Sequence, residues 1–175
     1  MKRTPLLVAT LFLAGFLAGC SSIETKVDYD RNASFSSYKT FAFKDVRSPD
    51  SPISMRRVQG AIDRTLTSRG FARADGTPDL WVVLHTRTRR QTQVTTYNSG
   101  WGWGWGWRGA YWNNARVQQI PIGTLIVDLI DTRAKELVWR GSASRILESD
   151  ETPKDRDENV QEAVNKLFDG FPPKS

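Results

Sequence analysis

The chain has 175 residues, with 25 Lys and Arg against 19 Asp and Glu, one His and one Cys, for a formal net charge of +6. A single cysteine excludes an internal disulfide, and one histidine beside it is too little for a His/Cys metal centre. The length suits one domain with a real core.

Lys2 and Arg3 precede an uncharged run from Thr4 to Gly19 whose apolar core is Leu6 to Leu17. That order of charged, apolar and small residues is the layout of an export signal. The run falls short of the roughly 20 apolar residues that a spanning helix needs. Leu17, Ala18, Gly19 and Cys20 then resemble the lipobox of bacterial lipoprotein precursors. The resemblance implies cleavage after residue 19, diacylglycerol on the Cys20 thiol and an acylated new amino terminus. It also implies an outer-membrane address, because Ser21 stands where an Asp would favour the inner membrane. The alternative leaves Cys20 as a reactive, unpaired thiol behind an ordinary signal peptide. Two or more acyl chains would hold the chain firmly at a bilayer. Export argues against nucleic acid as a partner, despite the basic balance.

Residues 1–19 are thus expected to be a signal peptide, 20–26 a lipidated tether, and 27–175 a single domain. Without Lys2 and Arg3 the charge falls to +4, from 23 basic and 19 acidic residues. A mildly basic surface suits anionic envelope polymers or lipid head groups.

Within the domain, Val27, Tyr29 and then Tyr38 to Phe43 alternate as two strands around a polar turn at residues 31–37. Ser51 and Pro52 open a helix whose face is Met55, Val58, Ile62 and Leu66, and Gly70 ends it, with Phe71 folding back. Residues 75–79 read as a turn. Leu80 to Tyr97 alternate, with Leu80, Val82 and Leu84 facing one way and Trp81, Val83 and His85 the other. From Thr86 the segment becomes rich in Thr, Arg and Gln, as a ribbon exposed on both faces would be. Strands are expected over residues 123–131 and 136–143, with Pro121 at an edge or bulge. Val160, Ala163, Val164, Leu167 and Phe168 mark a last helix over residues 155–169, stopped by Gly170 and Pro172. The order predicts an α+β fold: a mainly antiparallel sheet, two helices packed on one face, and a long exposed hairpin with a Trp-Gly tip.

Several strings carry a family resemblance over most of the mature chain. They are Val27 to Tyr29, Phe35 to Phe43 (Phe-Ser-Ser-Tyr-Lys-Thr-Phe-Ala-Phe), Ala61 to Phe71 ending Arg-Gly-Phe, and the Pro78-Asp79-Leu80 step. Gly123-Thr124-Leu125 with Asp128 and Asp131, and Leu137 to Gly141 (Leu-Val-Trp-Arg-Gly), complete the set. Together they resemble the domain-of-unknown-function 4136 family of bacterial envelope lipoproteins. The resemblance implies a shared fold and no catalytic residues.

The most unusual feature is a Trp/Gly-rich loop over residues 98–116. Trp101, Trp103, Trp105 and Trp107 alternate with glycine and are followed by Arg108, Tyr111 and Trp112. Extended backbone would put all four indoles on one side. Exposed indoles stack on sugars, insert at lipid interfaces or anchor a protein partner. These seven residues are the candidate ligand site, for an envelope protein, a glycan or a lipid head group; the same composition also fits a low-complexity loop with no ligand.

Catalysis has little support, and the chain is expected not to be an enzyme. His85 is the sole histidine, no Gly-x-Ser-x-Gly elbow occurs, and Asp128 and Asp131 are spaced for opposite faces of a strand or its turn. The acidic run 148–158 lacks calcium-loop spacing and reads as a solvated linker and helix start. No cofactor beyond the lipid on Cys20 is expected. A periplasm-facing binding or structural protein in the inner leaflet of the outer membrane is the favoured reading. The alternative is a carboxylate-dependent hydrolase of cell-wall glycan, which would need Asp128 or Asp131 to converge with a second acid.

Overall fold

A computed structural model describes residues 23–44, 51–96 and 115–173. The signal segment, Cys20 and the seven candidate residues Trp101, Trp103, Trp105, Trp107, Arg108, Tyr111 and Trp112 lie outside the described residues.

Six strands and two helices follow one another as β1 (Glu24–Tyr29), β2 (Thr40–Phe43), α1 (Pro52–Ser68), β3 (Ala72–Arg73), β4 (Leu80–Thr96), β5 (Ala115–Asp131), β6 (Leu137–Ile146) and α2 (Pro153–Leu167). They form one sheet in the order β1-β6-β5-β4-β2-β3. The sheet is mixed rather than mainly antiparallel. β4, β5, β6 and β1 pair antiparallel in turn, but β2 is parallel to both β3 and β4. The reason is the connection: α1 carries the chain back along the sheet between β2 and β4, and a helical crossover returns the next strand in the same direction.

α1 starts as its sequence requires. The Ser51 side chain accepts from the Ile53 N–H, and Pro52 occupies the first turn. At its other end Gly70 takes φ +88 and the Phe71 N–H bonds back to Leu66 O at 3.1 Å. α2 begins two residues earlier than expected because Thr152 and Asp155 form a reciprocal capping box. The helices run parallel: Arg64 Nε donates to Gln161 Oε1 at 2.9 Å, and further along both helices Arg69 donates to Phe171 O at 2.8 Å.

Cross-strand register sorts the side chains into two faces. Leu84, Val127, Gly141 and Val27 make one row, and Val82, Leu129, Trp139 and Tyr29 the next. These rows face the helices, whose Val58, Ile62, Leu66, Val164 and Leu167 complete a single core. Trp139 is its centre, stacked on Phe168 at 4.8 Å and edge-on to Phe171 at 5.4 Å. Gly141 makes room for it. A Cβ there would lie 2.5 Å from the indole and 2.6 Å from Leu167, so only glycine allows the ring to lie flat over β6.

The end of the domain remote from β4's exposed half is fastened by polar pegs. Asp79 accepts from the Lys39 and Thr40 N–H groups, each at 3.0 Å, and from the Thr40 hydroxyl at 2.9 Å, which ties β2 to the start of β4. The Lys39 N–H leads in holding its carboxyl below the usual range. Asp131 accepts from the Tyr38 hydroxyl at 2.8 Å and from the Arg133 and Ala134 N–H groups. Burial, reinforced by that bond, pushes the Tyr38 hydroxyl up to about 12.

At the opposite end β4 and β5 run on together. Their pairing continues from Leu80–Asp131 to Thr96–Ala115, whereas β6 leaves β5 at Ile122–Ile146. β5 thus begins eight residues before the expected start at Gly123. Pro121 sits where β6 stops, and its carbonyl accepts from the Leu147 N–H at 2.8 Å. N–H and C=O of one residue point the same way in such a ladder, so the missing N–H costs no bond to β4.

Candidate ligand-binding cleft

Where the ribbon leaves the sheet, the helices do not cover it fully, and a cleft of about 410 Å³ opens. Its floor is two cross-strand rows, Thr86–Leu125–Ala143 and Thr88–Gly123–Arg145. Val58 from α1 and Val160 and Ala163 from α2 form the apolar walls, and Leu147 closes one side. Small residues create the space. A Cβ at Gly123 would lie 2.9 Å from Leu147, so the glycine lets that side chain fold down across β5.

The rim is charged and ordered. Arg145 pairs with Glu151 at 2.6 Å, and Asn159 also donates to Glu151 at 3.1 Å. Arg57 pairs with Asp157 across the two helices. Glu151 therefore corrects the reading of residues 148–158 as wholly solvated: its side chain is 8% exposed and locks the linker onto β6. Such a cavity, apolar at its base with a few fixed polar groups at its edge, has the volume and chemistry of a small-ligand site.

The other sheet face carries a second cluster. Asp128 is buried and accepts two bonds of 2.6 Å from Arg140, with His85 Nε2 3.3 Å away. The ion pair raises the Arg140 pKa. Asp131 is on the helix side and occupied by Tyr38 and the turn. Asp128 and Asp131, either of which the hydrolase reading needs to converge with a second acid, are thus on opposite faces, each already satisfied, and neither lines the cleft. Among the described residues no group of three or more His, Cys, Asp or Glu could hold a metal ion, and no helix is long and apolar enough to cross a membrane.

Alternation grouped Leu80, Val82 and Leu84 on one face, which is the core face, but did not reveal the cleft. Gly123 and Ala143 within strong strands were the available signal, since a small residue in a strand marks a close approach or a gap.

The fold and cleft define a class: a small α+β domain with a mixed six-stranded sheet, two helices packed on one face and a cleft where they leave the sheet uncovered. The family model for the domain of unknown function DUF4136 matches residues 25–173, and the chain belongs to that family. No curated protein is similar to the chain in sequence. Among solved structures, a PDZ domain protein from Parabacteroides distasonis superposes with a TM-score of 0.58 at 15% identity; the match covers 86% of this chain but only 36% of that one. The PelC dodecamer from Paraburkholderia phytofirmans superposes with a TM-score of 0.53 at 10% identity, covering 87% of this chain and 99% of that one. At these identities the likeness is one of fold.

Proposed function

We propose that the chain is a lipid-anchored, periplasm-facing envelope protein that binds a partner and catalyses nothing. In this reading signal cleavage frees residues 20–175, diacylglycerol and an N-acyl chain on Cys20 hold them to the inner leaflet of the outer membrane, and no other cofactor takes part. Binding uses the β4–β5 ribbon, with Trp101, Trp103, Trp105, Trp107, Arg108, Tyr111 and Trp112 between its strands in sequence, and the cleft at its root. The partner is an envelope protein, glycan or lipid head group.

The observation that carries the reading is the cleft: a mainly apolar space beside the root of a basic ribbon, lined by Glu148 and Glu151, of which Glu151 is already held by Arg145 and Asn159. Membership of DUF4136, a domain of unknown function, fits an envelope role and names no reaction. The test is capture from detergent-solubilised envelope by the full lipidated protein, by a deletion of residues 100–112, and by Ala143→Trp, which fills the cleft. Both variants should fold and lose the captured species. Undiminished capture by both would refute the binding role of these two features.

A further inference from the structure

The tether and the ribbon leave the domain at the same end. β1 enters at Glu24, opposite Ser144, and Ser144 is in turn opposite Thr124 and, through it, Arg87. β1 runs away from the ribbon, so the chain preceding Glu24 departs on the ribbon's side. Cys20 is four residues upstream, within about 14 Å of Glu24 at full extension. From the level of Glu24, residues 124 back to 115 carry the ribbon onward by about 30 Å at ~3.4 Å per residue. A tether that short cannot hold a ribbon that long clear of the surface to which the tether is fixed.

Charge follows the same geometry. Thr86 to Val127 contains five arginines and no acidic residue, which leaves eighteen basic residues against nineteen acidic ones in the rest of residues 20–175. The net positive charge of the mature chain therefore resides in this one segment. Arg87, Arg89 and Arg90 are all exposed. Arg87 and Arg89 continue the row of His85 on the face away from the helices. Of the acids near the ribbon root, Glu148, Asp150 and Asp157 belong to the linker and α2 on the helix side, where Glu151 is paired with Arg145; on the arginine face Glu24 pairs with Lys26 and Asp128 with Arg140.

We propose that the ribbon is a membrane-apposed arm, in which Arg87, Arg89 and Arg90 contact the phosphates of anionic lipids in the leaflet that holds the acyl chains of Cys20. The inference rests on acylation of Cys20 for its choice of leaflet. The arm then fixes the orientation of the domain at the bilayer. Arginine suits the task, because its planar fork matches a phosphate in a bidentate manner.

The test uses residues 20–175 with Cys20→Ser, so that acyl chains do not mask the arm. This protein should co-float with vesicles of phosphatidylethanolamine and phosphatidylglycerol, bind phosphatidylcholine vesicles far less, and be released as salt is raised from about 0.1 to 0.5 M. The triple change Arg87→Gln, Arg89→Gln, Arg90→Gln should weaken binding on the order of a hundredfold. Arg31→Gln with Lys39→Gln, at the far end, should leave it unchanged. Far-UV circular dichroism checks folding, and if the triple variant unfolds, salt release of the parent decides the matter. Equal binding to both vesicle types, no binding, or a folded triple variant that binds as well as its parent would overturn the proposal. An unmodified Cys20 thiol in the native protein, together with arginine-dependent vesicle binding, would instead remove the leaflet assignment and leave the arm.

Discussion

The two ends of the domain are built differently. At the far end, Tyr38, Asp79 and Asp131 knit β2, β4 and the β5–β6 turn together, beside the packed rings of Trp139, Phe168 and Phe171. At the ribbon end, β4 and β5 run past every other strand, and their root borders an open cleft. A two-stranded ribbon alone is at best marginally stable in water, so it persists because the far end holds its roots. Most of the family's strings lie at the holding end, whereas Gly123-Thr124-Leu125 forms part of the cleft floor. Within Leu137 to Gly141, Trp139 fills the core, Arg140 clamps Asp128 and Gly141 admits the indole.

Breaking this division should begin with Trp139→Ala, which removes the central ring of the core. It should cost about 3–5 kcal/mol in urea unfolding. Gly141→Ala, a single methyl forced against Trp139 and Leu167, should cost about 1–3 kcal/mol by overpacking. A cost below the error of the measurement would mean that the indole does not lie over β6.

Two changes sharpen the comparison through pH. The folded-state pKa of Asp79 is depressed, so its contribution is present above the unfolded value near 4 and is lost as pH falls through the folded value. Asp79→Asn should flatten the acid limb of the stability curve, as followed by thermal midpoints. Tyr38 has the opposite sign. Its hydroxyl is raised to about 12, so its contribution is complete below pH 10 and lost as pH climbs toward 12. Tyr38→Phe should remove that alkaline loss, whereas an unchanged slope would detach Tyr38 from the turn.

The smallest effect on stability is expected at the ribbon. Arg87→Gln, Arg89→Gln and Arg90→Gln together should shift unfolding by no more than about 0.5 kcal/mol each way, since exposed positions rarely matter more. A large loss would make the ribbon part of the holding end and erase the distinction.

Local signals carried much of this architecture. Ser51, Pro52 and Gly70 bound α1 in the sequence and in the structure, and alternation grouped Leu80, Val82 and Leu84 on one face of β4, which the structure buries in the core. Partnership was not legible. Periodicity shows that Phe41 to Phe43 is a strand but cannot say that it lies parallel to β4. β3 has two residues and exists only through the Ala72 and Ala74 N–H bonds to Lys39 and Phe41. The early start of β5 reflects pairing with β4 rather than any apolar pattern in residues 115–122. Of the site, the ribbon arginines were visible as a composition shift. The cleft was not, because its rows unite residues from β4, β5, β6 and both helices.

The claim on which location, orientation and leaflet all depend is acylation at Cys20. Intact-mass analysis of the protein isolated from the envelope tests it directly. A chain beginning at Cys20 and carrying diacylglycerol and an N-acyl group is expected; a free thiol, or a chain still beginning at Met1, would contradict acylation.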